Sequence, residues 1–92
     1  MIRSFRSKGL QLFAEKGNAA KLSVQNTARV RRILLALNAA TRPEQLDLPG
    51  HNFHTLKGAD KGRFSVWVSG NYRMTFGWNG DDATDVDLED YH

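Results

Sequence analysis

At 92 residues the chain has the length of one domain, and a domain of this size buries roughly 60–70% of its unfolded surface, enough to fold without staples. It has no cysteine, which excludes disulfides and thiolate metal sites, and it has no apolar run of membrane-spanning or signal-peptide character. The net charge of +3 conceals a division: residues 1–80 carry thirteen basic and four acidic side chains, while Asp81, Asp82, Asp85, Asp87, Glu89 and Asp90 fill half of the last twelve positions. A cytoplasmic protein with a polyanionic partner, most simply nucleic acid, is the expectation.

No repeat, linker or low-complexity tract divides the chain, so residues 1–92 are expected to form a single domain. "MIRSF" alternates and suits a short edge strand. In "KGLQLFAEKG", Leu10, Phe13 and Ala14 have helical spacing and Lys16-Gly17 supplies a stop. A second helix is expected from about Val24 to Ala39 after a Ser23 cap, with Val30, Ile33, Leu34 and Leu37 in one core-facing stripe and Leu35 on the opposite side. "TRPEQLDLPGHNF" reads as a loop, punctuated by Pro43 and Pro49-Gly50.

Beyond the loop the period changes to two. Phe64, Val66 and Val68 share one face of a strand, and Arg63, Ser65, Trp67 and Ser69 share the other. After a Gly70-Asn71 turn, Tyr72, Met74, Phe76 and Trp78 oppose Arg73, Thr75 and Gly77. A third strand places Thr84, Val86 and Leu88 on one side. Helices followed by an antiparallel meander make a two-layer α+β domain, with two N-terminal helices packed on a small, mainly antiparallel sheet. The outer face would display Arg63, Trp67, Arg73, Asp85, Asp87 and Glu89. Those three carboxylates would repel phosphate, so at least one is expected to pair with Arg63, Arg73 or a lysine.

The residues that could carry chemistry are few. His51 and His54 lie three apart, but without cysteine and without defined partners they do not make a zinc site, and no metal is expected. "KGADKG" lacks the Gly-Lys-Ser/Thr ending of a phosphate loop, and is a turn carrying Lys57 and Lys61. Metal-independent RNA cleavage needs a base for the 2′-OH, an acid for the departing 5′ oxygen and fixed cations for the phosphorane. His54, Asp90, Tyr91 and His92 could transfer protons, Arg73 and Lys57 could hold phosphate, and Trp67 could stack on a base. The same residues would serve a non-enzymatic basic module that binds RNA, DNA or a protein.

The arrangement discriminates between these readings. "NFHTLKG", a strand, "NYRMTF", and a strand ending "EDYH" resemble the HigB-type toxins of bacterial toxin–antitoxin pairs, within the RelE-like superfamily. The resemblance runs from "MIRSF" to "DYH", with "NYR" and "DYH" as its specific parts. It implies a RelE-like fold and a metal-independent, cofactor-free endoribonuclease that cuts messenger RNA in the ribosomal A site by 2′-OH attack, so inhibiting translation. It also implies a cognate helix-turn-helix antitoxin, HigA-like, through which alone the complex would meet DNA. By motif, His54 and His92 become acid–base candidates, Asp90 a group that orients a histidine or accepts a proton, and Tyr91 a positioning or proton-transfer group. Arg73 would stabilise the phosphorane, with Lys57 in a phosphate-holding role; read from the residues rather than the motif, Lys61, Arg63 and Trp67 are further RNA-binding candidates. Trp67 stands where many relatives carry a basic residue. The acidic, phenolic and imidazole groups of residues 90–92 are expected to be held by the apolar strand before them, and a fusion after His92 should then impair cleavage more than one on Met1.

Overall fold

A computed structural model describes residues 1–91. Two helices precede a four-stranded antiparallel sheet, the order expected from the change of hydrophobic period. Helix α1 spans Lys8–Lys16; the Ser7 hydroxyl accepts from the Leu10 amide at 3.1 Å, and Gly17 ends the helix at φ +68. Only a residue free of a Cβ clash adopts that left-handed turn at little cost, which is why Lys16-Gly17 stops the helix.

Helix α2 spans Thr27–Ala39 and begins three residues later than the periodicity suggested. Its cap is Asn26, whose side-chain oxygen accepts from the Arg29 amide at 3.2 Å. Ser23 is not the cap because the chain is not yet helical there and turns Val24, only 4% exposed, into the core. The stripe Val30, Ile33, Leu34 and Leu37 is buried as expected, each side chain contributing about 1.5–3 kcal/mol. Leu35 is exposed and borders a groove with Phe13, Leu34 and Ile2. In the loop that follows, a 3-10 turn over Pro43–Leu46 drives Leu46 fully into the core.

Strand β1 (His54–Thr55) pairs with β2 (Phe64–Ser69), β2 with β3 (Tyr72–Asn79) and β3 with β4 (Asp82–Asp90). The sequence pattern does not announce β1, because two residues are too few to show alternation. The "MIRSF" segment adds two parallel bridges, Ile2 to Ala83 and Phe5 to Val86, on the far side of β4. Val66, Val68, Met74, Phe76 and Val86 are fully buried against the helices. An aromatic file runs through this layer, with ring centroids 5.8 Å apart for Phe53–Phe64, 5.7 Å for Phe64–Phe76 and 6.2 Å for Phe76–Trp78.

Strand β4 departs from strict alternation. Thr75 pairs with Asp87 and Gly77 with Thr84, so Asp85 and Val86 together oppose the single residue Phe76. Asp85 takes φ +47 to make this bulge, a conformation that aspartate tolerates better than most residues. Ala83 therefore faces the core and Thr84 the open side, where periodicity alone had put Thr84 inward with Val86 and Leu88. No helix among the described residues is long and apolar enough to cross a membrane.

Candidate active site

Strand register sorts the open face of the sheet into two rows. His54, Ser65, Thr75 and Asp87 are successive partners across the four strands, and Trp67, Arg73 and Glu89 form the row beside them. Partners in register on one face stand about 4.5–5.5 Å apart at Cβ, so each row is a line of contact. Ser65 and Thr75 are nonetheless 1% and 0% exposed, because two arginine side chains lie flat across them.

Arg73 donates from Nε to the Ser65 hydroxyl at 3.0 Å and from Nη2 to the Asn52 carbonyl at 2.7 Å. These bonds fix the plane of the guanidinium and leave Nη1 directed away from them. Burial lowers its pKa, and the neighbouring Tyr91 opposes that shift; a guanidinium stays charged at any pH the fold survives. The Asn52 contact also steadies the backbone two residues before His54. That segment is held besides by Phe53 stacking on Phe64 and by the pairing of His54 with Ser65. His54 itself is exposed on the open face.

Tyr91 extends the line of β4. Its amide donates to the Asn71 carbonyl at 2.8 Å, and alternation puts its ring on the same face as Glu89. Burial raises the phenol's pKa, the charges of Glu89 and Asp60 raise it further, and Arg73 and Arg63 pull it down. The phenol is therefore protonated at neutral pH and offers an O–H donor rather than a base. Asp60 belongs to a short 3-10 turn, Gly58–Asp60, flanked by the exposed Lys57 and Lys61.

Not every expected residue joins this group. Arg63 lies along the open face with its donors committed to the protein: Nη2 donates to the Thr75 hydroxyl at 3.1 Å and to the Asp85 carbonyl at 2.9 Å, and its Nε is buried without a partner among the described residues. Trp67 is 36% exposed, with its indole N–H donating to the Gly70 carbonyl at 2.9 Å and the Arg29 guanidinium 4.9 Å from its ring centroid. It is a fixed platform with one neighbour already in place. Asp90 stands in register with Tyr72, on the helix side of the sheet, and borders a depression with Ser23, Val24 and Gln25. His92 lies outside the described residues.

The expected pairing of the β4 carboxylates with cations is not made directly. Glu89 accepts from the Thr75 hydroxyl at 2.5 Å, Asp87 from the Leu88 amide at 2.9 Å, and Asp85 from the Ser4 hydroxyl at 3.4 Å. The Thr75 hydroxyl, receiving from Arg63 and donating to Glu89, separates that cation from that carboxylate by one atom. Among the described residues the ion pairs belong to Asp82, with Arg3 at 2.6 Å and the N-terminal amine at 3.3 Å. Sequence reasoning passed over Thr75 and Ser65 because hydroxyls on a strand are common; only register shows that they lie beneath the arginines.

His51 and His54 do not share a ligand position. The His51 Nδ1 donates to the Leu46 carbonyl at 2.9 Å, and its ring borders a cavity with Arg29, Ile33 and Leu48 on the helix side. Among the described residues no cluster of three or more His, Cys, Asp or Glu side chains could hold a metal ion. What the open face assembles is a fixed cation, a neutral phenol donor and an imidazole on one rigid sheet, groups suited to binding a phosphodiester and moving protons around it.

Comparison with known proteins agrees with that chemistry. The family model of the RelE-like toxin of the type II toxin–antitoxin system HigB matches residues 3–92. The chain is 38% identical over 92 residues to the endoribonuclease HigB of Proteus vulgaris, and the alignment covers 100% of both chains.

Proposed function

The chain belongs to the HigB-like toxins of type II toxin–antitoxin systems, and from that membership we propose that it is a ribosome-dependent, metal-independent endoribonuclease that cleaves messenger RNA in the ribosomal A site. The observation that carries this reading is the Arg73 guanidinium, locked by Ser65 and Asn52 on the face that also presents Tyr91 and His54. A phosphodiester laid on this face meets Arg73 Nη1 at a non-bridging oxygen, where charge accumulates as the 2′ oxygen attacks phosphorus. One imidazole of His54 and His92 takes the 2′-OH proton, and another group returns a proton to the departing 5′ oxygen; Asp90, in register with Tyr72 on the helix side, is not among the groups that face the phosphodiester. The products are a 2′,3′-cyclic phosphate and a 5′-hydroxyl.

Tyr91, neutral and electropositive at its O–H, donates to the phosphate or the leaving oxygen rather than serving as the base. Lys57 and Lys61, on the turn beside the sheet, attract the RNA backbone through a salt-dependent interaction, and Trp67 presents a ring for base stacking. Arg63, hydrogen-bonded along the same face to the Thr75 hydroxyl and the Asp85 carbonyl, braces the RNA surface. As a member of a toxin–antitoxin family the chain has an antitoxin partner. We assign that partner to the HigA-like, helix-turn-helix class, so that DNA is met only through it, and we place the toxin with ribosomes in the cytoplasm.

The test is induction in cells followed by primer-extension mapping, with His92→Ala as the variant. New 5′ ends inside translated frames, lost together with growth arrest in the variant, are the expected result. Binding to ribosomes without any such ends would make the protein a non-enzymatic RNA-binding module. Equal toxicity of the variant would remove His92 from the machinery.

A further inference from the structure

Arg29 belongs to none of the roles assigned above. It lies in the first turn of α2, and its guanidinium leaves the helix for the edge of the sheet. Nη2 donates to the Gly50 carbonyl at 2.7 Å, Nε donates to the Trp67 carbonyl at 3.4 Å, and the guanidinium carbon stands 4.9 Å from the Trp67 ring centroid. The next two carbonyls in the loop are held as well. That of His51 accepts from the Trp67 amide at 2.7 Å, and that of Asn52 from Arg73 at 2.7 Å. Three consecutive carbonyls leading into His54 are therefore tied to α2, β2 and β3 in turn. The loop needs these ties, because Gly50 at φ +83 and Asn52 at φ +47 sit in backbone conformations outside helix and strand.

We propose that Arg29 is a positioning residue of the cleavage reaction, a strut that sets the His54 segment and the Trp67 ring relative to each other from the fixed base of α2. This rests on the ribonuclease reading above. The base is firm because Val30, Ile33, Leu34 and Leu37 bury the helix immediately after the arginine. The fork of the guanidinium supplies diverging donors for two segments while its plane covers the indole, and a lysine has no such fork. Without the strut the Gly50 and Trp67 carbonyls turn to water and the fold persists. The imidazole and the stacking ring then lose their common reference, and a displacement on the order of 1 Å at a catalytic group costs about 100-fold in rate.

The experiment compares the parent chain with Arg29→Ala and Arg29→Lys in two measurements. One is single-turnover cleavage of mRNA on programmed ribosomes. The other is fluorescence in a Trp78→Phe background, where Trp67 is the remaining tryptophan of the two. Arg29→Ala is expected to lower kcat about ten- to 100-fold, shift Trp67 emission to the red and speed its anisotropy decay, with an unchanged far-ultraviolet spectrum. Arg29→Lys, which keeps the charge, should recover only part of kcat. Parental kcat in Arg29→Ala overturns the proposal. So does a rise confined to KM that vanishes at high salt with Trp67 emission unmoved, since that is the behaviour of a simple phosphate contact. A parent chain that cleaves nothing on ribosomes overturns the ribonuclease reading itself, and this proposal with it.

Discussion

Replacing Thr75 with valine removes one oxygen and leaves the shape of the sheet unchanged. The residue is fully buried, and its hydroxyl receives a hydrogen bond from Arg63 at 3.1 Å and gives one to Glu89 at 2.5 Å. Both partners are charged groups, and such bonds contribute about 1.5–3 kcal/mol each. The full sum is not lost, because Arg63 keeps the Asp85 carbonyl at 2.9 Å and Glu89 is only half-buried, so that water can reach it. A destabilisation of about 1.5–2.5 kcal/mol remains, which corresponds to a fall in Tm on the order of 10 °C for a domain of this length. The released carboxylate lies in register with Arg73, and a new pairing there would neutralise the cation that meets the phosphate. Cleavage should fall about tenfold, the equivalent of one interaction of ~1.4 kcal/mol at the transition state. Urea unfolding followed by circular dichroism and cleavage on programmed ribosomes measure the two effects. Thr75→Ser should restore cleavage ahead of stability, since it keeps the hydroxyl and loses a buried methyl. A Thr75→Val protein with the parental urea midpoint and rate would refute the assignment of the hydroxyl as the spacer between Arg63 and Glu89.

Alanine for glycine in a helix ordinarily stabilises by about 1 kcal/mol, but Gly9→Ala should destabilise by about 1–3 kcal/mol, because its Cβ would lie 2.8 Å from the Lys21 carbonyl oxygen, which no rotamer change can move; a raised urea midpoint would count against so close a packing of α1 on the following loop. Burial first, then Glu89 and Asp60, raise the Tyr91 pKa above that of the unfolded chain, so the stability it confers is complete below pH ~10 and is lost as pH rises through the folded value. Glu89→Gln should move the Tyr91 titration down in part, followed by phenolate absorbance in a Tyr72→Phe background, and an unmoved midpoint would show that the carboxylate does not act on the phenol.

Much of this architecture is legible in residue order, since hydrophobic period and turn chemistry are local. The stripe from Val30 to Leu37, the stop at Gly17 and the Gly70-Asn71 turn all lie where period and backbone preference put them. What escaped notice depends on partners distant in sequence. The bulge at Asp85 is dictated by Phe76 and Gly77 across the ladder, and without it Thr84 reads as a core residue. Val24 overrides Ser23 as a helix start because the core claims its side chain. The open-face arginines look alike in the sequence, yet Arg73 clamps the His54 segment and Arg63 is bound to the Thr75 hydroxyl and the Asp85 carbonyl. Trp67 reads as a bare stacking surface until Arg29, thirty-eight positions earlier, is found against its ring. Hydropathy has no means of reporting contacts of that kind.

The parallel bridges from Ile2 to Ala83 and from Phe5 to Val86 also bear on how the molecule assembles in time. They join residues 81 apart, close to the longest loop this chain could close, whereas the helices and the hairpin of β2 and β3 are local. Non-local pairings of this sort slow folding because the loop entropy is spent before the contacts form. Strand β4 can therefore zip onto β3 while its outer edge still waits for the first residues of the chain. During that interval an unpaired row of amides and carbonyls faces solvent, a template for pairing with a second molecule. The short segment "MIRSF" covers that edge through its bridges to Ala83 and Val86, which removes the open row from the finished sheet.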